Sequence, residues 1–187
     1  GAKFDTPNVY NYFKDKDVKI INNSWNSTLY PVVSMVEPGR YSLTLKNYSS
    51  TQLLRQIHSN QTAKELNDLA REKKTLVVFA AGNEGIISPG IMALSPLYNE
   101  ELRSFLAVGS VDSSQITRNQ DGKLVVSAKG LSGFSNGLLG AENFSLVAPG
   151  SNISNVNAAY MQPVVFGRPD NKLYRTQSGT SMAAPMV

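Results

Sequence analysis

The sequence has 187 residues, of which 41% are hydrophobic and 17% charged, and this composition excludes a disordered chain. The formal net charge of +4 is small, and no basic stripe interleaved with aromatic residues indicates a nucleic-acid partner. The chain has no cysteine, which excludes disulfide bonds and cysteine-based metal sites, and no other pattern calls for a metal ion or a cofactor.

The first half of the chain predicts helices and strands in alternation. Hydrophobic periodicity and turn residues define their positions. We predict a helix over 7–17, a strand over 18–22, a small β-excursion within 27–50, a helix opened by the capping box Thr62 to Glu65 with Leu66, Leu69 and Ala70 facing inward, and a strand over Leu76–Ala80.

The second half adds strands and hairpins. We predict a loop over 86–101, a strand over Phe105–Val111, a hairpin over 113–131 that turns at Asp121-Gly122, a strand over 146–148 ended by Pro149-Gly150, and a hairpin over 158–175 that turns near Asp170-Asn171. Because strands alternate with helices, the fold class is α/β, with a mostly parallel sheet flanked by helices and with β-hairpin insertions. Residues 1–187 have the length of a single domain.

The last nine residues carry the clearest chemical pattern. Ser181 follows Gly179-Thr180 and precedes Ala183-Ala184. A serine at the start of a helix lies near free backbone N–H groups that favour developing negative charge, and small alanines let such a helix pack deep in a core. Ala183 stands where the nucleophile turn of lipases and esterases has its second glycine, which argues against an unrelated α/β hydrolase.

A second pattern follows the apolar strand that ends at Ala80. The chain turns at Ala81-Gly82-Asn83. A side chain just past the carboxyl end of a parallel strand lies where α/β sheets place their ligands. The Asn83 amide is therefore a candidate donor to a negatively charged oxygen.

Both patterns match one known family. Residues 179–185, Gly-Thr-Ser-Met-Ala-Ala-Pro, resemble the serine motif of the subtilisin-like serine proteases (subtilases), and residues 81–83 resemble their Ala-Gly-Asn motif. Residues 18–26, 105–112 and 144–150 resemble further strands of that family, so the resemblance extends from about residue 18 to 187. It implies a partial subtilisin-like fold, with Ser181 as the nucleophile, Asn83 in the oxyanion hole, and a polypeptide substrate.

The resemblance also implies a substrate-binding edge. It consists of Ser24, Trp25 and Asn26, where the family commonly has Ser-x-Gly, together with Ala81 and Gly82. In the family, this edge pairs with the substrate backbone and lines the pocket for the residue before the cut. Trp25 either walls that pocket or packs under the 27–50 excursion, and the sequence leaves both alternatives open.

The family's catalytic Asp and His have no counterpart in this chain. The one histidine, His58, follows the cleft-edge segment and lacks the family context, so we interpret it as solvent-facing. Asp5 and Asp17 also lack that context. We interpret residues 1–187 as the carboxyl-terminal part of a serine endopeptidase domain, without its Asp and His segments and with a truncated serine helix, and expect it to be inactive alone. The alternative is a pseudoprotease or peptide-binding domain with the same fold.

Partners and location follow from the same interpretation. Without the strands that flank it in the family, the strand over 18–22 is expected to present an open edge, which favours self-association. The resemblance implies a secreted or cell-surface protein. Six Asn-x-Ser/Thr triplets are present, and we interpret them as a consequence of the high asparagine content.

Overall fold

The computed structural model describes residues 6–25, 34–37, 40–42, 55, 60–97, 99, 101–127, 130–157 and 173–187. No helix in these ranges is long and apolar enough to cross a membrane.

Three α-helices and ten strands have bounds within the described residues. The helices are α1 (Thr6–Asp15), α2 (Gln61–Lys73) and α3 (Thr180–Ala183). The strands are β1 (Ile20–Asn23), β2 (Ser34–Glu37), β3 (Arg40–Ser42), β4 (Leu76–Ala80), β5 (Phe105–Val111), β6 (Ile116–Arg118), β7 (Leu124–Val126), β8 (Ser145–Pro149), β9 (Ile153–Val156) and β10 (Tyr174–Gln177). Short 3-10 helices span Ile91–Leu97, Ser113–Gln115, Glu142–Phe144 and Ala184–Met186.

The main sheet has the order β1-β4-β5-β8, and all of its neighbouring strands are parallel. Helices flank it, so the predicted α/β class is confirmed. Strands β4 and β5 have the predicted bounds because continuous apolar runs define both, and such runs are typical of strands buried on both faces. Strand β1 begins later than predicted. The Val18 N–H still donates to the Phe13 carbonyl, so the turn that ends α1 occupies the first predicted strand residues.

The two faces of the sheet bury separate clusters. One cluster joins the sheet to α1, α2 and the first 3-10 helix, and its members include Leu66, Leu69, Phe79, Leu94 and Phe105. The other consists of Val78, Ala80, Val108, Ala148, Ala183 and Ala184. Small side chains on the second face let α3 lie directly against the strands. This close packing brings the start of α3 to the carboxyl ends of β4 and β5.

Helix α2 begins earlier than the predicted capping box. Asn60 is the N-cap, and its side-chain oxygen accepts a hydrogen bond of 3.1 Å from the Ala63 N–H. Asparagine caps a helix at least as well as threonine, so the Thr62 start was wrong by two positions. The inward face was predicted correctly, since Leu66, Leu69 and Ala70 are buried.

The connecting segments match the predictions in part. The hairpin β6–β7 is confirmed, with Gly122 at a φ of 77° in its turn. The predicted loop over 86–101 instead contains the 3-10 helix Ile91–Leu97, because its apolar residues are buried against the sheet. The last hairpin pairs β9 with β10, so its first strand precedes the predicted start, and residues 158–172 lie outside the described residues. Strands β2 and β3 form a hairpin within the predicted excursion, and the other residues of 27–50 lie outside the described residues.

A buried polar contact attaches α1 to the end of β1. The Tyr10 hydroxyl donates to the Asn23 side-chain oxygen at 3.2 Å, and the Asn23 amide donates to the Val78 carbonyl at 3.3 Å. Burial, with a smaller contribution from the negative charge of Glu65, raises the pKa of Tyr10 to about 12. Tyr10 therefore remains a neutral donor at physiological pH, and it holds the carboxyl end of β1 in place.

Strand β1 forms one edge of the main sheet. Within the ranges that the structure describes, it pairs only with β4. Ile20 is 62% exposed and Asn22 is also exposed. An edge strand that carries an exposed apolar side chain such as Ile20 is a template for pairing with a second chain.

We therefore predict that the isolated 187-residue chain self-associates through β1 at micromolar concentration. Ile20→Lys should shift the population toward monomer in light scattering coupled to size exclusion, because a lysine on an edge strand disfavours pairing. Leu124→Lys is the control, since Leu124 is similarly exposed at 65% but lies in the β6–β7 hairpin. A monodisperse wild-type monomer would contradict the prediction.

Candidate active site

The loop after β4 is hydrogen-bonded to the start of α3. The Thr180 N–H donates to Asn83 Oδ1 at 2.9 Å, and the Thr180 hydroxyl donates to the same oxygen at 3.0 Å. The Thr180 hydroxyl also accepts from the Gly82 N–H at 3.1 Å. These contacts join positions that lie 97 residues apart in the chain. They bring Asn83 close to the turn that carries Ser181.

The Thr180 contacts determine the direction of the Asn83 amide. A backbone N–H only donates, so the amide oxygen must face Thr180 and the Nδ2 group must face the other way. Nδ2 lies beside the backbone of Gly179, at 3.5 Å from the position of a Cβ atom on that glycine. It donates no hydrogen bond to any residue within the described ranges. The amide thus presents unused N–H donors next to the segment that carries Ser181.

Ser181 is half-buried and is bonded to the residue that follows β1. Its hydroxyl donates to the Ser24 carbonyl at 2.9 Å, and the Ser24 hydroxyl donates to the Ser181 carbonyl at 3.0 Å. Asn22 Nδ2 in turn donates to the Ser24 hydroxyl at 2.8 Å. This reciprocal pair holds the Ser181 backbone against the edge of the sheet. It also shows that the Ser181 hydroxyl contacts a carbonyl oxygen here, and not a base.

A hydrogen bond between two glycines holds the segment that leads into Ser181 against the end of β8. The Gly179 N–H donates to the Gly150 carbonyl at 2.8 Å. A Cβ atom on Gly150 would lie 2.4 Å from the Ser110 hydroxyl and 2.7 Å from the Gly179 carbonyl oxygen. Only glycine therefore allows this close approach at the end of β8.

The predicted substrate-binding residues lie at this end of the sheet where the structure describes them. Ser24 is half-buried, whereas Ala81 and Gly82 are buried, and Asn26 lies outside the described residues. Trp25 is 40% exposed, and its ring packs edge-on against Phe79 with centroids 5.4 Å apart. One part of the indole thus contacts the sheet core while the rest faces solvent. The alternative contact of Trp25 with the 27–50 excursion involves residues 26–33, which lie outside the described residues.

No acid–base partner for Ser181 lies in the part of the chain that the structure describes. Asp5 and His58 are outside that part. Asp17 precedes the amino end of β1 and pairs with Lys19 at 2.6 Å. Among the described residues, no group of three or more His, Cys, Asp or Glu side chains could hold a metal ion.

Sequence reasoning missed one residue at this site, Asn136. It is fully buried, and its side chain is bonded to the loop that carries Asn83. The only local signal is the turn-forming sequence Ser135-Asn136-Gly137, which is common in loops and gives no indication of a long-range contact.

Comparison with known proteins decides the family. The model of the subtilase family, peptidase S8, matches residues 2–187. This chain belongs to the subtilase family. The four-stranded sheet and the adjacent Ser181 and Asn83 segments are consistent with that assignment.

The individual relatives are less than 30% identical to this chain, and they are longer than it. Serotype-specific antigen 1 of Mannheimia haemolytica is 28% identical over 179 residues, which cover 95% of this chain and 16% of the antigen. Among solved structures, the prenylagaramide maturation protease PagA is 19% identical with a TM-score of 0.55, covering 99% of this chain and 46% of PagA. The patellamide maturation protease PatA is 20% identical with a TM-score of 0.54, covering 96% and 45%.

A third solved structure contains a ligand. The PatG macrocyclase in complex with peptide is 17% identical with a TM-score of 0.50, covering 96% of this chain and 37% of PatG. At these identities the solved structures show the fold alone. The chain spans less than half the length of these solved relatives and about a sixth of the antigen.

We predict that Gly150→Ala destabilises the chain by about 1–3 kcal/mol, because the added methyl group overlaps the Gly179 carbonyl and forces the backbone apart. Chemical denaturation measures the change in the free energy of unfolding. Gly133→Ala is the matched control, since a Cβ atom there meets nothing within 4 Å. Equal stability of the two variants would show that the Gly150–Gly179 contact does not hold the segment before Ser181 in place.

Proposed function

We propose that this chain provides the nucleophile and the oxyanion donor of a subtilisin-like serine endopeptidase. The observation that supports this most strongly is the pair of hydrogen bonds from Thr180 to Asn83 Oδ1, at 2.9 and 3.0 Å. They hold the Asn83 amide so that its Nδ2 donors are unused and lie beside the turn that carries Ser181. Such a donor stabilises negative charge on a carbonyl oxygen without reorganising during the reaction.

The proposed reaction is the hydrolysis of a peptide bond in two steps. The Ser181 oxygen attacks the carbonyl carbon of the substrate, its proton passes to a base, and the carbonyl oxygen becomes an oxyanion that Asn83 Nδ2 stabilises. Collapse of this intermediate breaks the C–N bond, and the leaving amine takes the proton, so an acyl-enzyme remains on Ser181. Water then attacks the ester in the same way and releases the carboxylic acid.

The base must come from residues other than those described. The Ser181 hydroxyl donates to the Ser24 carbonyl at 2.9 Å, and a carbonyl oxygen is too weakly basic to accept its proton. We propose that a histidine and an aspartate from outside these 187 residues complete the triad. The 187-residue chain by itself is then inactive, since a serine hydroxyl without a base is a poor nucleophile.

The proposed substrate is a polypeptide that binds along the end of β1. In this proposal Ser24 and Trp25 contribute to the edge, with Asn26 from outside the described residues, and Ala81 and Gly82 contribute to the pocket for the residue before the cut. Trp25 has the required partial exposure, because one part of its ring contacts Phe79 while the rest is accessible. The peptide complex of PatG gives a precedent in this fold. A secreted or cell-surface location remains an inference from the family.

The test is peptide cleavage by the full-length protein that carries this chain. Ser181→Ala should abolish turnover above the background set by binding alone. Asn83→Ala should lower kcat by about 10²–10³ with little change in KM, a magnitude measured for such a donor in a subtilisin and not calculated from this structure. Asn143→Ala is the control, because Asn143 is exposed in the 3-10 helix before β8.

The same assay separates the enzyme from its alternative. Undiminished cleavage by Ser181→Ala would contradict the proposal. A full-length wild type that binds peptides without cleaving them would favour the pseudoprotease instead. The 187-residue chain alone should show neither casein cleavage nor covalent labelling of Ser181 by a fluorophosphonate.

A further inference from the structure

Asn136 lies in the segment that precedes β8, and it contacts the loop after β4 on both sides of Asn83. Its Oδ1 accepts from the Glu84 N–H at 2.9 Å and from the Ile86 N–H at 3.3 Å. Its Nδ2 donates to the Ala81 carbonyl at 3.0 Å and to the Glu84 carboxylate at 2.7 Å. The Asn136 backbone N–H also donates to the Gly82 carbonyl at 2.9 Å.

The amide of Asn136 has no unused capacity. Two donated and two accepted hydrogen bonds satisfy both of its N–H groups and both lone pairs of its oxygen. The residue is fully buried, so water does not compete for these contacts. Buried and saturated polar groups of this kind fix one arrangement of the segments that they join.

The loop around Asn83 requires such a support. Gly82 has a φ of 114° and Gly85 has a φ of 65°, and glycine adopts both positive and negative φ values at little cost. The backbone on either side of Asn83 is therefore intrinsically free to change conformation. The Thr180 contacts fix the amide oxygen of Asn83 and the Gly82 N–H, but none of them reaches the backbone from Glu84 to Ile86.

Asn136 is itself attached to the centre of the sheet. The Ser135 hydroxyl donates to the Asn136 carbonyl at 2.9 Å and accepts from the Ser110 N–H at 2.9 Å. Ser110 belongs to β5, next to β4. Asn136 thus connects the Asn83 loop to a rigid strand of the sheet. A support of this kind is expected for a preorganised donor.

We propose that Asn136 is a positioning residue for the oxyanion donor. It acts through Asn83 by fixing the backbone from Ala81 to Ile86, and it touches no reacting atom. The inference rests on the proposed function, because it assigns a role within the same peptidase site. Loss of the Asn136 amide leaves Asn83 present but misaligned, so the main effect is a loss of transition-state stabilisation. Ala81 and Gly82 keep their N–H bonds to the Val108 carbonyl and the Thr180 hydroxyl, so substrate affinity changes little.

A double-mutant cycle in the full-length protein tests this role. Asn136→Ser is the primary variant, because it is uncharged and removes the amide without adding bulk. We expect it to lower kcat at least about tenfold with KM within about twofold. In the Asn83→Ala background, the same substitution should change kcat by less than about twofold, because residues that act through one another are not additive. A merely structural role of Asn136 would lower kcat in both backgrounds.

Controls keep the outcomes separate. Asn119→Ser is the matched substitution, since Asn119 Oδ1 also accepts two backbone N–H bonds, from Asp121 and Lys123, in the exposed β6–β7 hairpin. It should leave kcat within about twofold of the wild type. If Asn136→Ser does not accumulate as folded protein, Asn136→Ala replaces it in the same cycle.

Each result has one meaning. A wild type without Ser181-dependent cleavage refutes the proposed function and this inference with it. An active wild type in which the effects of Asn136→Ser and Asn83→Ala multiply, or in which Asn136→Ser raises KM alone, refutes the inference and leaves the proposed function intact. An effect on kcat that disappears in the Asn83→Ala background supports both.

Discussion

The hydrogen bonds between Thr180 and Asn83 are the contact on which the site depends. They connect the loop after a central strand with a short helix almost one hundred residues later in the chain. Two features of the fold make them possible. Ala183 in α3 and Ala184 just after it are small enough for this segment to approach the strands, and glycine at position 150 allows the preceding backbone to approach β8. Both features allow the backbone to come close enough for Asn83 and Ser181 to be neighbours.

The parallel sheet explains why these residues meet at one end. Strands β1, β4, β5 and β8 run in the same direction, so the segments that follow them emerge at the same edge. Ser24 follows β1, Asn83 follows β4, and Gly150 follows β8. Each contacts the stretch from Gly179 to Ser181. The site is thus a consequence of strand direction, combined with one short helix that crosses the strand ends.

The sequence predicted the features that are local or that repeat with a regular pattern. The apolar runs of β4 and β5 gave the correct strand bounds, and the turn at Gly122 gave the β6–β7 hairpin. The predicted start of α2 was wrong because Asn60 and Thr62 are both good N-cap residues. Only the structure shows which of the two side chains accepts a hydrogen bond from the helix backbone. The first strand of the last hairpin was placed too late, because β9 is only four residues long, Ile-Ser-Asn-Val, and shows no regular alternation of apolar and polar residues.

For the site, the motifs around Ser181 and Asn83 were sufficient to predict that both residues lie in one place. Asn136 could not be found in this way. Its role depends on contacts between segments about fifty residues apart, and a Ser-Asn-Gly sequence is common in turns. The reciprocal contact between Ser24 and Ser181 is another tertiary feature that no local pattern encodes.

The central claim is that the Asn83 amide is held so that its nitrogen receives the oxyanion. A crystal structure of the full-length protein with a peptidyl phosphonate bound to Ser181 tests this most directly, because the adduct imitates the tetrahedral intermediate. We expect a phosphonate oxygen within about 3 Å of Asn83 Nδ2, with the amide oxygen still bonded to Thr180. An adduct oxygen that points away from Asn83, or an Asn83 amide that has turned away from Thr180, would contradict the account.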